Sequence, residues 1–170
     1  MPSSPSFPLP GGAIDVFLSV QTKRAGKLKG ESQAIDHKEE ISVHGWAWGM
    51  SASSALGSAQ ATGRRSYKNL TVTKRIDSSS TSLMSVLATN DEVKEAKLSM
   101  RKAGEGQRDY FTIKLSNARV SALDIECGED GDALERISFA FTKIEVNYEL
   151  QQATGQRGGS TTFQGEILPV

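Results

Sequence analysis

Three stretches of this chain alternate apolar and polar residues, and each changes its apolar face partway along. In residues 109–125 the apolar positions are Phe111, Ile113 and Leu115, then Ala118 and Val120, then Leu123 and Ile125. In residues 135–150 they are Ile137, Phe139 and Phe141, then, after Thr142, Ile144, Val146, Tyr148 and Leu150. In residues 39–50 they are Ile41 and Val43, then Trp46 and Trp48, with Gly45 at the switch. Successive side chains of a strand point to opposite faces. A parity change therefore moves the buried set to the other face unless the strand bends or bulges. Ordinary strands run about five or six residues, and these are longer. Long strands that switch face predict a mainly β fold: a closed or two-sheet β-barrel whose strands bend and serve two sheets.

Both tryptophans lie in Gly45-Trp46-Ala47-Trp48-Gly49-Met50. Their spacing of two puts both rings on one face of an extended strand. We read them as core or interface packing, where aromatic rings bury much area; stacking on a ligand is the other reading. Glycine at the switch tolerates the backbone angles a bend requires.

The length of 170 residues favours one domain. Residues 1–12 are rich in Pro, Ser and Gly and read as a loose arm; residues 13–150 carry the barrel; residues 151–170 read as a polar, less ordered tail. Ile14, Val16, Leu18 and Val20 mark the first strand, and residues 22–38 a polar, basic loop. Residues 51–65 are mostly Ser, Ala and Gly and end in Arg64-Arg65. Loops above about 12–15 residues are usually functional or disordered. Residues 66–76 read as a strand. Asp77 and Ser78 to Ser80 offer N-caps for a short helix with Leu83, Met84, Val86 and Leu87, stopping at Asn90. Residues 91–102 have helix propensity, but a helix would stack Asp91 over Glu95 and Lys97 over Arg101. As a strand, Ala96, Leu98 and Met100 share a face, so a strand is predicted. Residues 103–107 then make a hairpin loop, and Gly128 to Gly131 an acidic turn.

Lys plus Arg and Asp plus Glu each number 20, which argues against a nucleic-acid partner. The lone Cys127 excludes an intramolecular disulfide. The N-terminus has neither a basic nor an apolar signal region, and no run nears the roughly 18 apolar residues of a membrane helix. The expectation is synthesis and folding in the cytoplasm, no membrane insertion, and any exit without a cleaved signal. His37 and His44 lack metal-ligand spacing. Asp124, Glu126, Glu129, Asp130 and Asp132 could hold calcium weakly but lack EF-hand spacing; a solvated turn is the preferred reading, ahead of an enzyme built on that turn. Lys23, Arg24, Lys27 and Lys29 form a basic patch, solvated or facing an acidic partner. With no nucleophile or phosphate-loop motif, no catalytic, cofactor or metal residue is assigned, and the role is structural or binding. A monomeric β-barrel module for a carbohydrate or protein ligand is the alternative to a self-assembling one.

Six motifs in order resemble one family. They are Gly30-Glu31-Ser32, His37-Lys38-Glu39-Glu40-Ile41, Trp46-Ala47-Trp48-Gly49, Thr73-Lys74-Arg75-Ile76-Asp77, Arg101-Lys102-Ala103-Gly104 and Phe141-Thr142-Lys143-Ile144-Glu145-Val146-Asn147-Tyr148. From Ile14 to Tyr148 the chain is similar to Hcp, the haemolysin-coregulated tube protein of the bacterial type VI secretion system. The resemblance implies a barrel with one short helix on its side. It also implies assembly into hexameric rings that stack as a tube inside a contractile sheath. A spike protein of the valine-glycine-repeat family would sit at the tip, and effector proteins would ride in the lumen. The loop at 51–65 matches the family's extended loop, which reaches a neighbouring subunit or ring. Its subunit or ring contacts would come from Ser51, Ser53, Ser54, Leu56, Gly57, Gln60, Arg64 and Arg65. The loop at 22–29 is longer and more basic than the family pattern, and the arm and tail have no clear counterpart.

Overall fold

Hydrogen-bonded strands account for most of the chain. The computed structural model describes residues 14–53, 64–103, 108–151 and 157–167. The arm at 1–12 and the loop tip at 54–63, with Ser54, Leu56, Gly57 and Gln60, lie outside the described residues, as does most of the hairpin loop at 103–107.

Strand β1 (Ile14–Thr22) carries β3 (Ile41–Val43) and β2 (Gly26–Lys27) along one edge and β8 (Val93–Lys102) along the other. β8 pairs with β9 (Asp109–Cys127), and β9 with β10 (Ala133–Gln151). The first half of β10 takes β7 (Leu70–Arg75) on its free edge, and the second half takes β11 (Arg157–Glu166). β7 in turn takes β4 (Gly45–Ala47). All these pairings are antiparallel. β5 (Met50–Ser53) and β6 (Arg64–Tyr67) form a separate two-stranded ribbon.

The run at 41–47 behaves as its parity change requires. Ile41 and Val43 pair with Leu18 and Val16 of β1. Gly45, Trp46 and Ala47 pair with Thr73, Val72 and Thr71 of β7. At the handover the His44 amide donates to the Thr73 carbonyl at 2.8 Å. One covalent segment thus joins the two ends of the sheet. Residues 39–50 are three short strands, not one continuous strand, because the chain changes partner at His44 and leaves the ladder again at Trp48 and Gly49.

The long strands switch face at a common row. Val93 and Phe141 both pair with Ala118, and Glu95 and Lys143 both pair with Ser116. Lys94, Asn117 and Thr142 therefore stand side by side on three strands. On each strand the buried position shifts there: Val93 to Ala96, Leu115 to Ala118, Phe141 to Ile144. Asn117 adopts a left-handed φ of 48°, a region Asn tolerates better than most residues. Because the three strands break together, their register survives and the sheet folds along this row. The later switch in β9 has a different cause. Val120 pairs with Phe139 but Ala122 with Ser138, so Ser121 is the extra residue of a β-bulge.

Between the limbs lie Leu18, Val20, Leu70, Val72, Leu98, Ile113, Leu115, Ile137 and Phe139, all fully or almost fully buried. Helix α1 (Ser80–Ala88) closes this core with Leu83 and Val86. Its N-cap, Ser79, makes no side-chain cap bond. Asp77 Oδ1 instead accepts from the Ser79 amide at 2.8 Å. Asn90, at φ 53°, lies just beyond the helix end.

Three expectations are corrected. The strand expected at 66–76 is broken between Tyr67 and Leu70, since its first part pairs with β5 and its second with β10. The expected loop at 51–65 begins and ends as paired strands; Ser, Ala and Gly carry no alternation that would announce them. The tail contains β11, a ten-residue strand on β10 from Arg157 to Glu166. Its Thr161, Thr162 and Phe163 suit a strand, and the exposed second half of β10 supplies the edge it needs.

Candidate assembly surface

The β5–β6 ribbon carries four of the expected contact residues. Ser53 pairs with Arg64, Ala52 with Arg65 and Ser51 with Ser66. β5 is exposed along its whole length. Among the described strands the ribbon hydrogen-bonds only to itself. The tryptophans stand at its root. Trp46 stacks on Phe111 with ring centroids 5.8 Å apart, and Trp48 on Tyr67 at 6.5 Å. Both are half-buried against the core, as the packing reading requires.

A second surface is the limb formed by β10 and β11. Val146 lies opposite Phe163 and Tyr148 opposite Thr161. Tyr148, Leu150 and Phe163 are exposed, so this limb shows apolar side chains to solvent beside an edge strand. Burial, and then the charge of Tyr148, push the Tyr110 hydroxyl above its ordinary range.

The basic patch sits on a hairpin whose backbone is fixed from beneath. Asp91 accepts from the Arg24 amide at 3.0 Å and the Ala25 amide at 3.2 Å, and Thr22 Oγ1 from Ala25 at 2.9 Å. Burial raises the Asp91 carboxyl, but hydrogen bonds from Thr22, Arg24 and Ala25 and the Arg24 charge outweigh it, leaving the group below the ordinary range. Lys23, Arg24, Lys27 and Lys29 project outward. The acidic turn borders a cleft of about 270 Å³ lined by Asp124, Glu126, Asp130 and Asp132 together with Arg136. Cys127 is exposed beside it.

Sequence reasoning missed two buried polar networks. Lys74 is fully buried; its Nζ donates to Glu135 Oε2 at 2.7 Å, Asp77 Oδ1 at 2.9 Å and Ser80 Oγ at 3.0 Å. Ser80 Oγ donates to Glu135 Oε2 at 2.7 Å. A signal was available: Lys74 continues the buried parity of Leu70 and Val72, and Glu135 that of Ile137 and Phe139. Charges in register on adjacent apolar faces must pair. The other links His37 to Glu40 and to Asp109, with Arg101 donating separately to the Ile35 carbonyl. Arg101 is buried, with its guanidinium 5.1 Å over the Phe17 ring. The loop preceding β3 covers it, which the alternation of β8 does not reveal.

A profile of the family described as "Type VI secretion system effector, Hcp" matches residues 17–148, more than half of the chain. The protein hcp1 of Pseudomonas aeruginosa is 34% identical over 157 residues, 90% of this chain and 94% of that protein. A solved structure of a type six secretion system protein superposes with a TM-score of 0.82 at 24% identity, covering 91% of this chain and 96% of that one. Hcp1 from Salmonella typhimurium superposes at 0.70, also at 24% identity, covering 91% and 94%. At such identities the superpositions carry the fold, and the sequence matches carry the family.

Proposed function

The chain belongs to the Hcp family of type VI secretion system proteins, and from that premise we propose that it is the structural tube component: a ring-forming, secreted carrier without catalysis of its own. The observation that carries the reading is the β5–β6 ribbon, hydrogen-bonded to no other described strand and packed on the barrel through its root at Tyr67. Isolated two-stranded ribbons are marginally stable in water, so a neighbouring copy is the natural surface for it. Edge strands such as β11 and β4 invite pairing between copies, which also protects free edges from aggregation. A heterologous contact of this kind closes into a ring when the rotation allows.

On this reading the partners are other copies within a hexamer and in stacked rings, with the valine-glycine-repeat spike, the contractile sheath and lumenal effectors following from the family. The protein folds in the cytoplasm and leaves through the secretion machine. No described helix is long and apolar enough to cross a membrane. The monomeric binding module is not favoured, since both tryptophans already pack on Phe111 and Tyr67.

A native mass spectrum tests the proposal. A species near 110 kDa, about six times the 18.3 kDa chain, is the expected closed ring. A clean monomer at all concentrations would instead favour the binding module.

A further inference from the structure

We propose that residues 30–40 form a releasable strap, clasped by His37 and Arg101 over the face of β1 and β8 that is turned away from the core. The segment is an Ω-loop closed at its neck. The Gly30 amide donates to Glu39 O at 2.7 Å, Ser32 to Glu40 O at 3.0 Å and Glu39 to Ser32 O at 2.8 Å. A Cβ at position 30 would collide with the Glu40 carbonyl, so only glycine lets the two ends meet this closely.

Three contacts hold the closed strap to the sheet. The His37 ring lies parallel to Phe17 of β1, with centroids 4.3 Å apart and planes 10° apart. Its Nε2 is 2.8 Å from Asp109 Oδ1 at the start of β9, while Nδ1 bonds with Glu40 within the strap. Arg101 of β8 donates from Nη1 to the Ile35 carbonyl at 2.8 Å. Phe17 and Ser99, paired across β1 and β8, are almost wholly buried on this face.

Other features oppose closure. Asp36 and Glu39 hold left-handed φ values of 67° and 61°. Such conformations carry strain in non-glycine residues and persist only where the surroundings over-determine them. Ser99 Oγ and Arg101 Nε are buried with no hydrogen-bond partner among the described residues; both would regain water if the strap lifted. Ile35 stands 70% exposed at the crest, so the strap contributes little apolar burial there. The core pair Leu18 and Leu98 faces the other way and is left intact by release. Holding contacts set against strain and unpaired polar groups make a two-state segment, and opening it uncovers Phe17 and Ser99 without unfolding the barrel. This inference does not depend on ring assembly.

Thiol trapping tests it on the full chain in a Cys127→Ser background. Ser99→Cys places a thiol under the strap; Ala96→Cys places one on the core face of the same strand. Local release predicts that the thiol at 99 reacts with iodoacetamide at least about tenfold faster than the one at 96, at a rate flat in low urea. Asp109→Ala should raise the rate at 99 roughly 10- to 100-fold, the range expected for loss of a hydrogen bond to a charged group, with Asp109→Asn in between. Equal labelling at 99 and 96, or a rate at 99 that ignores Asp109→Ala, would overturn the strap. The first comparison needs no Asp109 variant, so it stands even if that variant folds poorly.

Discussion

Lys74 shows how a single buried charge is tolerated. Its ammonium meets two carboxylates, a serine hydroxyl and the Arg75 carbonyl at 3.1 Å, tying β7, β10 and the start of α1 together. Replacing it alone strands Glu135 in the core. Lys74→Met is expected to cost about 3–5 kcal/mol, whereas Lys74→Met with Glu135→Leu should recover most of that loss; urea unfolding of both variants checks it. Asp91 makes a pH prediction. Its carboxyl lies below the ordinary range in the folded protein, so its contribution is complete above about pH 4, the unfolded aspartate range. That contribution is lost as pH falls from there toward the folded value. Asp91→Asn should be less stable near neutrality, and the gap to the parent should narrow below pH 4. An acid unfolding series in which the gap stays constant would refute this.

At the scale of elements, the row through Lys94, Asn117 and Thr142 fixes where three strands bend. Asn117→Val forces a β-branched residue into a left-handed conformation and should cost about 1–3 kcal/mol, while Asn117→Gly should be near neutral. Thermal melts of the two variants separate conformational strain from lost side-chain contacts. On β9 and β10 this row was legible, because the parity breaks at Ser116 and Thr142 are written in the apolar pattern; the break at Lys94 on β8 was not read. The helix was legible too, through Leu83 and Val86 between Asp77 and Asn90. β11 and the β5–β6 ribbon were not: Gly, Ser and Ala rarely alternate with apolar residues, so their strands are specified by the edges they meet. Of the expected contact residues, Ser51, Ser53, Arg64 and Arg65 fall on that ribbon. The burial of Arg101 was hidden because the covering loop lies more than 60 residues away in sequence.

For the whole molecule, self-association is the property to perturb. Deleting residues 51–65 should leave the barrel folded and shift the native mass spectrum from ring to smaller species; a retained ring would remove the ribbon from the assembly. The segment at 41–47 has a further consequence, in the order of events during folding. β8, β9 and β10 follow one another as hairpins and can pair through local contacts. The N-terminal strands meet them along two seams, β1 with β8 and β7 with β10, each spanning a long stretch of chain. Long-range pairings are slow because loop closure must precede the contacts that reward it. Since Ile41–Val43 is already on β1 and Gly45–Ala47 on β7, zipping one seam carries the partner of the other into reach. The entropy of the second closure is then largely spent in advance, and both seams should form in one kinetic phase.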